Sequence, residues 1–89
     1  LMPEREVKIV NKLGIHARPA AEIVKTAGKF RSSVTIVRDD LEVNAKSIMG
    51  VMMLAAEFGA VIVIRAVGDD AEQALDALQA VIANKFGES

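Results

Sequence analysis

The stretch "VIVIRAVGDDAEQALDALQAVIANKF", residues 61–86, contains a strand pattern followed directly by a helix pattern. Its first six residues are strongly apolar and mostly β-branched, which predicts a strand in the centre of a sheet. In the helix pattern, Asp69 or Asp70 is placed to cap the first turn, and Glu72 adds negative charge there. The predicted buried stripe of this helix consists of Ala71, Ala74, Leu75, Leu78 and Ile82. We expect this stripe to pack on one face of the sheet.

Three other segments are typical of strands. In "REVKIVN", residues 5–11, apolar and charged residues alternate. The segments "SSVTIVR", residues 32–38, and "LEVNA", residues 41–45, are also rich in apolar residues at alternate positions. They lie on either side of the tight turn Asp39-Asp40, so we expect them to form a hairpin.

Two further segments have the spacing of helices. In "NKLGIHARPAAEIVKTAGKF", residues 11–30, apolar and charged residues lie on opposite sides, and Gly28 is placed to help end the helix. The segment "KSIMGVMMLAAEFGA", residues 46–60, begins a short apolar helix at Ser47, a favourable N-cap residue. The predicted buried side of the first of these helices consists of Ala20, Ile23, Val24, Ala27 and Phe30.

These elements follow one another in the order β-α-β-β-α-β-α. Because helices on one side of an antiparallel sheet bury one of its faces, this order predicts an α+β fold. We expect an open-faced β-sandwich, in which three helices cover one face of a four-stranded, mostly antiparallel sheet. The chain has 89 residues, no internal repeat and no low-complexity linker, so we expect a single domain over residues 1–89.

The composition disfavours several classes of protein. The chain has no cysteine and one histidine, so a disulfide framework and a thiolate zinc site are excluded, and we expect neither a metal nor a cofactor. The net charge is −1 and the only aromatic residues are three phenylalanines, which disfavours nucleic-acid binding. The apolar runs are too short to span a bilayer, and the first residues lack a signal-peptide pattern. We therefore expect no membrane insertion and, given the lack of cysteine, a cytoplasmic location.

The single histidine lies at the predicted start of a helix. If this helix begins at Ala17, His16 is its N-cap residue, and the free amides and positive dipole end of the first turn lie beside its side chain. Arg18 adds a guanidinium suited to phosphate, and Pro19 is tolerated in the first turn because its missing N–H costs little there. Gly14 permits a tight approach from the preceding strand. These residues predict an anion site that contains a nucleophilic nitrogen.

The positive potential of such a site has two consequences for phosphoryl chemistry. It favours the neutral imidazole, which is the nucleophilic form, and it stabilises the negative charge of an attached phosphoryl group. The chain has neither a P-loop pattern nor an acidic pair for Mg²⁺, so a carrier is favoured over an ATP-dependent kinase or a hydrolase. A lone histidine at a helix start is more often a structural cap or a solvated residue, and that alternative stays open at this point.

Two motifs resemble one known family. "GIHARPAAEIV", residues 14–24, is similar to the active-site signature of the histidine-containing phosphocarrier family, HPr, of the bacterial phosphoenolpyruvate-dependent phosphotransferase system. "AKSIMGVMMLAA", residues 45–56, resembles the regulatory-serine segment of that family. The resemblance implies that His16 accepts a phosphoryl group on Nδ1 from phospho-Enzyme I and passes it to a histidine of an enzyme IIA in sugar uptake. It implies that Arg18 neutralises this group and that the amides of Ala17 and Arg18 bind its oxygens. The chain would then be a covalent carrier turned over by partner enzymes, and not itself an enzyme.

The second motif implies a regulatory site. By resemblance, Ser47 would be phosphorylated by HPr kinase/phosphorylase, which would connect the chain to the regulation of carbon metabolism. A phosphate at this position would place negative charge beside an apolar docking patch and repel an acidic partner. The alternative is that Ser47 serves only as a helix N-cap.

The second predicted helix is too apolar to be buried on every side. We expect Val51 and Leu54 in the core. We expect Ile48, Met49 and Met52 at the surface near the histidine, where the resemblance implies docking of Enzyme I and enzyme IIA. A basic edge that would steer an acidic partner consists of Arg18, Lys25, Lys29 and Lys46. Because transfer to several partners favours weak and brief contacts, we expect a monomer.

Three alternatives to a carrier in sugar uptake remain. The segment "NKLG", residues 11–14, and the tail ending in "GES", residues 87–89, resemble the nitrogen-related branch, NPr, which serves a regulatory phosphorelay. The chain could instead be a binding module controlled by Ser47 phosphorylation. A ligand-sensing α+β domain is the third alternative, although it leaves the His-Ala-Arg-Pro arrangement unexplained.

Overall fold

The computed structural model describes residues 2–88. Within this range, four strands and three helices follow one another in the predicted order. They are β1 (Glu4–Lys8), α1 (Ala17–Ala27), β2 (Ser33–Arg38), β3 (Leu41–Asn44), α2 (Ile48–Met53), β4 (Val61–Val67) and α3 (Ala71–Ala83). A short C-terminal turn (Lys85–Gly87) follows α3. Ser89, the last residue of the tail compared above with the nitrogen-related branch, lies outside the described residues.

The strands form one sheet in the order β1-β4-β2-β3, and every neighbouring pair is antiparallel. In β4, Ile62 is opposite Val7 of β1, and Ile64 is opposite Ile36 of β2. The strand β4 therefore lies between β1 and β2, which confirms the central position predicted from its apolar sequence. The predicted hairpin of β2 and β3 is also present, and Asp39 in its turn has a positive φ of 53°. Aspartate tolerates this left-handed conformation better than most residues do.

The sheet buries one face against the helices and leaves the other open. Along β4, the side chains of Ile62 and Ile64 are buried, whereas those of Val61 and Val67 are exposed. Of the side predicted to be buried in α1, Ala20, Ile23 and Ala27 are fully buried, while Val24 and Phe30 are partly buried against the core. The predicted stripe of α3 is buried at all five positions. The predicted open-faced α+β fold is therefore confirmed.

The helix α1 begins and ends close to the predicted residues. The helix α1 begins at Ala17 and is followed by Gly28 as its C-cap residue. Gly28 keeps a right-handed φ of −65°, so this helix does not end in the left-handed conformation for which glycine is usually needed.

None of the helices within residues 2–88 is long and apolar enough to cross a membrane.

Asp70 occupies the predicted N-cap position of α3, but its carboxylate does not cap the helix. Its Oδ1 accepts hydrogen bonds from the Ser32 amide at 2.9 Å and from the Ser32 hydroxyl at 2.5 Å. Its Oδ2 accepts from the Arg31 amide at 2.9 Å. The prediction that the Asp70 side chain caps α3 is therefore wrong, because both of its carboxylate oxygens accept hydrogen bonds from the loop before β2. The Ser32 hydroxyl and these amides lower the pKa of Asp70 to about 2.

Candidate functional site

The loop between β1 and α1 carries the histidine and is held by the loop that follows α2. The Ile15 amide donates to the Ala56 carbonyl at 2.8 Å, and the Ile15 side chain is buried. Gly14 has a positive φ of 70°, and a Cβ atom at this position would lie 2.5 Å from the Ala56 carbonyl oxygen. Glycine is therefore required for the tight approach expected at Gly14. The backbone directly before His16 is fixed by these contacts.

His16 is the N-cap residue of α1, but its side chain takes no part in capping. Its backbone is extended, and its carbonyl accepts the first hydrogen bond of the helix from the Ala20 amide at 3.0 Å. The imidazole is 40% exposed and makes no hydrogen bond to the backbone of the first turn. The side chain is therefore not a structural cap of α1, and the imidazole can make other contacts.

The first turn of α1 presents unpaired amides next to the histidine. Within residues 2–88, the amides of Ala17 and Arg18 find no acceptor, as is usual for the first residues of a helix. Pro19, the next residue, has no N–H and is buried. The exposed Arg18 side chain and His16 line the same open depression of about 470 Å³. The positive end of the α1 dipole and the Arg18 guanidinium thus lie beside the imidazole, an arrangement that suits a phosphoryl group.

Two residues that contact this site were missed by reasoning from the sequence. Oε2 of Glu88 lies 2.8 Å from Nε2 of His16, although 72 positions separate them in the chain. Asn11 is completely buried, and its Nδ2 donates to the Gly14 carbonyl at 2.8 Å and to Oε1 of Glu88 at 3.0 Å. Neither residue belongs to a motif with chemical meaning. Only the folded chain brings them to the histidine, so no sequence pattern could have identified them.

Glu88 changes the electrostatics expected at the histidine. The Asn11 hydrogen bond, followed by those of His16 and the charge of Arg18, lowers the pKa of Glu88, and partial burial acts in the opposite direction. Glu88 is therefore ionised at neutral pH. Its negative charge opposes the positive potential of the helix start and of Arg18. A carboxylate and an imidazole do not make a metal site here, because within residues 2–88 no third ligand joins them.

Ser47 is the N-cap residue of α2, as predicted. Its hydroxyl accepts a hydrogen bond from the Gly50 amide at 3.1 Å, and its carbonyl accepts from the Val51 amide at 2.9 Å. The side chain is half-buried and contributes to the start of the helix. Any modification of the hydroxyl would act directly on the first turn of α2.

The helix α2 exposes the apolar side chains that were expected at the surface. Met49 is 76% exposed, and Ile48 and Met52 are each nearly half exposed. Val51 and Leu54 are buried in the core, as expected. We refer to Ile48, Met49 and Met52 as the α2 patch. Because α2 packs against α1, the patch belongs to the same helical layer as the histidine.

The basic residues expected to form one edge differ in their contacts. Lys25, in the last turn of α1, and Lys29 are exposed, like Arg18. The Lys46 ammonium instead donates to the Phe30 carbonyl at 2.8 Å and is half-buried. Lys46 thus joins the end of α1 to the start of α2. This structural contact was not expected from the sequence.

Two further apolar side chains, in the loops on either side of the histidine segment's backbone contacts, are exposed and were also missed. Leu13 and Phe58 are both strongly exposed. Their loops are joined where the Gly59 amide donates to the Ile9 carbonyl at 2.7 Å. Exposed apolar side chains are therefore not confined to the α2 patch, and Leu13 lines the same depression as His16. An apolar residue in a glycine-containing loop is the only signal that could have indicated them.

The chain is thus a small α+β domain with a partly exposed histidine at the start of a helix, and comparisons with known proteins show its family. A family model described as "PTS HPr component phosphorylation site" matches residues 3–84. The phosphocarrier protein HPr of Cupriavidus necator is 51% identical over 87 residues, which cover 98% of each chain. The crystal structure of HPr-C-His from Thermoanaerobacter tengcongensis matches with a TM-score of 0.95 at 50% identity, covering 99% of each chain. The chain belongs to the HPr family of the phosphotransferase system.

Two other similar proteins bear on finer questions. The phosphocarrier protein NPr of Shewanella violacea is 41% identical over 86 residues, covering 97% of this chain and 94% of that one. A crystal structure described as an HPr dimer from Thermoanaerobacter tengcongensis matches with a TM-score of 0.79 at 51% identity, covering 92% of this chain and 94% of that chain. The relatives are named phosphocarrier proteins, which confirms the expectation that the chain is a phosphoryl carrier.

Proposed function

We propose that His16 accepts a phosphoryl group on Nδ1 from phospho-Enzyme I and passes it to an enzyme IIA in sugar uptake. One observation carries this proposal. Nε2 of His16 is bound to Glu88, whereas Nδ1 has no hydrogen-bond partner within residues 2–88. Nδ1 is thus the ring nitrogen with a lone pair free to attack phosphorus.

The surroundings of His16 supply what a phosphoryl carrier needs. Phosphoryl transfer depends mostly on positioning and on stabilising negative charge. In this proposal the Arg18 guanidinium neutralises the transferred group, and the unpaired amides of Ala17 and Arg18 bind its oxygens. The donor and the acceptor enzymes provide the remaining groups, so the chain itself needs no metal and no cofactor.

The proposal is tested by intact-mass spectrometry after incubation with Enzyme I, phosphoenolpyruvate and Mg²⁺. We expect one acid-labile phosphoryl addition in the wild type and none in His16→Ala. Ser47→Ala serves as the control, since it removes the other proposed phosphorylation site and should still gain the acid-labile group. An unmodified wild type, with an Enzyme I that phosphorylates a reference HPr, would contradict the proposal.

We further propose that Ser47 is a regulatory site phosphorylated by HPr kinase/phosphorylase. Ser47 directly precedes the α2 patch, so a phosphate there would place about two negative charges beside a surface that docks partners. An acidic partner would be repelled, and transfer to His16 would slow down.

The regulatory role is tested with Ser47→Asp and its uncharged counterpart Ser47→Asn. Aspartate and asparagine are both favourable N-cap residues of nearly the same shape, so both variants should keep α2 intact. We expect Ser47→Asp to slow phosphoryl transfer from phospho-Enzyme I about tenfold relative to Ser47→Asn, a difference of about 1.4 kcal/mol. Equal rates would show that charge at this position does not control docking. Binding of a new partner to Ser47→Asp alone would favour the regulatory binding module.

A nitrogen-related phosphorelay is the second candidate pathway, favoured by the similarity to the NPr of Shewanella violacea. We prefer the sugar branch because the identity to the HPr of Cupriavidus necator is higher, 51% against 41%. Transfer from the Enzyme I of each branch, measured in separate reactions, distinguishes them. Faster transfer from the nitrogen-type Enzyme I would overturn the preference and leave the phosphocarrier role intact.

We also propose that the α2 patch and Lys25 contact the partner proteins. In this proposal the chain acts in the cytoplasm as a monomer and as a single domain over residues 1–89. A monomer suits transfer between several partners, because such contacts are weak and brief. Sedimentation at working concentration should give the mass of one chain, 9.5 kDa. A mass of two chains would favour the form described for the Thermoanaerobacter tengcongensis dimer.

A further inference from the structure

We propose that Glu88 is a positioning residue for His16, and that it holds the imidazole proton on Nε2 so that Nδ1 keeps its lone pair. This inference rests on the proposed phosphocarrier function and adds a residue from the C-terminal tail to it. The starting observation is the 2.8 Å contact between Oε2 of Glu88 and Nε2 of His16. A carboxylate only accepts hydrogen bonds, so a neutral imidazole in this contact must carry its proton on Nε2.

The conformation of the C-terminal turn places Glu88 beside the histidine. Lys85, Phe86 and Gly87 have positive φ angles of 57°, 56° and 77°, so three consecutive residues are left-handed. This conformation is unfavourable for the two residues that are not glycine, and it persists only where packing holds it. Phe86 supplies that packing, because its side chain is buried in the core. The Glu88 amide closes the turn by donating to the Lys85 carbonyl at 2.9 Å.

Asn11 fixes the orientation of the Glu88 carboxylate. Asn11 is fully buried, and both hydrogens of its amide group are used, one by the Gly14 carbonyl and one by Oε1 of Glu88. Because Oε1 is held by Asn11, Oε2 is the atom left for His16. The Glu88 side chain is only 15% exposed, although it lies close to the end of the chain. Each carboxylate oxygen therefore has a separate partner that donates to it.

The contact has a second consequence during phosphoryl transfer. The Nδ1 lone pair forms the new bond to phosphorus, while the bond from phosphorus to the donor atom breaks and its electron pair returns to the donor. The proton on Nε2 stays on the imidazole, which therefore becomes positively charged as the new bond forms. The Glu88 carboxylate lies next to this positive charge and stabilises it, as a buried aspartate does for the histidine of a catalytic triad. Arg18 and Lys12 line the same depression. Their positive charges act on the negatively charged phosphoryl group.

The inference is tested by ¹⁵N NMR of His16 in the wild type, Glu88→Ala and Glu88→Gln. The ¹⁵N shifts of the two ring nitrogens report which one carries the proton, and each spectrum is taken at a pH where titration of that variant shows the ring neutral. We expect the Nε2–H tautomer to dominate in the wild type and a mixture in Glu88→Ala. Glutamine has one oxygen for two donors, so Glu88→Gln should turn its amide toward Nε2 and favour the Nδ1–H tautomer. Glu6→Ala, which removes one exposed acidic residue from β1, is the matched control and should resemble the wild type.

The second readout is the rate of phosphoryl transfer from phospho-Enzyme I to the same four proteins. We expect Glu88→Ala and Glu88→Gln to be about tenfold slower than the wild type and Glu6→Ala to be unchanged. The size is taken from groups that orient metal-bound histidines, whose loss typically costs about 10- to 100-fold. Unchanged tautomers in both Glu88 variants would overturn the inference, and so would a changed tautomer with an unchanged rate. Failure of the proposed phosphocarrier function can be distinguished from failure of this inference. In the first case the wild type itself gains no phosphoryl group, while the NMR spectra still show which ring nitrogen carries the proton.

Discussion

At the scale of single residues, Asp70 joins the start of α3 to the loop before β2 through hydrogen bonds from Ser32 and Arg31. These bonds lower its pKa from the ordinary value of 3.8 to about 2. A carboxyl group whose pKa is lower in the folded state stabilises the fold above the unfolded pKa, and this contribution is lost as pH falls through the folded pKa. The contribution of Asp70 is therefore fully present at neutral pH and disappears on acidification toward about pH 2.

We predict that Asp70→Asn lowers the melting temperature at neutral pH by several degrees. The difference from the wild type should shrink as the pH falls toward 2, because the wild-type carboxyl becomes protonated. Circular dichroism melts over a series of pH values provide the measurement. Asp69→Asn is the control, since Asp69 is exposed and should show a small effect at every pH. A constant difference between Asp70→Asn and the wild type across the series would contradict the argument.

Sequence reasoning at this scale identified the residues that lie in local motifs. His16, Arg18 and Ser47 were placed correctly because a helix start is defined by neighbouring residues. Glu88 and Asn11 were missed because their contact spans 77 positions of the chain, and neither has a distinctive local signal. The prediction that Asp70 caps α3 was wrong for the same reason, since the amides that donate to its carboxylate lie almost forty positions earlier in the chain.

At the scale of elements, α2 combines a buried side with the exposed α2 patch. We predict that Met49→Asp raises the KM for transfer from phospho-Enzyme I about tenfold, corresponding to about 1.4 kcal/mol, and leaves kcat nearly unchanged. The physical reason is that a charge on the exposed Met49 removes apolar contact with the partner without affecting the core. Steady-state transfer kinetics provide the measurement.

The matched control for Met49→Asp is Met2→Asp. Met2 is also strongly exposed but precedes β1, at the end of that strand away from His16. It should leave both kinetic parameters unchanged. Equal effects of the two substitutions would show that the loss is due to added charge in general, and would contradict docking through the α2 patch.

The elements could be predicted from the sequence where their periodicity extends over several turns or strand residues. The helices α1 and α3 follow from apolar spacing over 11 and 13 residues, and the hairpin follows from two alternating segments around Asp39-Asp40. The C-terminal turn could not be predicted, because it has three residues and two of them, Lys85 and Phe86, are left-handed without being glycine. Its conformation depends on burial of the Phe86 side chain, which is a tertiary contact.

At the scale of the whole molecule, one core lies between the sheet and the helices, and Leu78 of α3 is fully buried in it. We predict that Leu78→Ala lowers the free energy of unfolding by about 2–5 kcal/mol, through lost burial and the cavity left behind. Leu13→Ala makes the same chemical change at an exposed position and should alter it by less than about 0.5 kcal/mol. Urea unfolding of both variants tests this. Similar losses in the two variants would contradict the assignment of Leu78 to the core.

The sequence predicts the layers of the molecule better than the order of its strands. Alternation in the strands and stripes on the helices show that one face of the sheet is covered. The central position of β4 follows from its continuous apolar sequence. The full order β1-β4-β2-β3 does not follow, because many antiparallel arrangements of four strands would bury the same residues. The register that joins β1 to β4, with Val7 opposite Ile62, is fixed only in the folded chain.

NMR of the phosphorylated protein shows whether Nδ1 of His16 carries the phosphoryl group. The chain has a single histidine, so labelling histidine with ¹⁵N labels only this site. After reaction with Enzyme I and phosphoenolpyruvate, we predict ³¹P–¹⁵N coupling to Nδ1 and a proton retained on Nε2 beside Glu88. Coupling to Nε2 instead, or a phosphorylated protein with no phosphorus bound to histidine, would show that Nδ1 is not the acceptor.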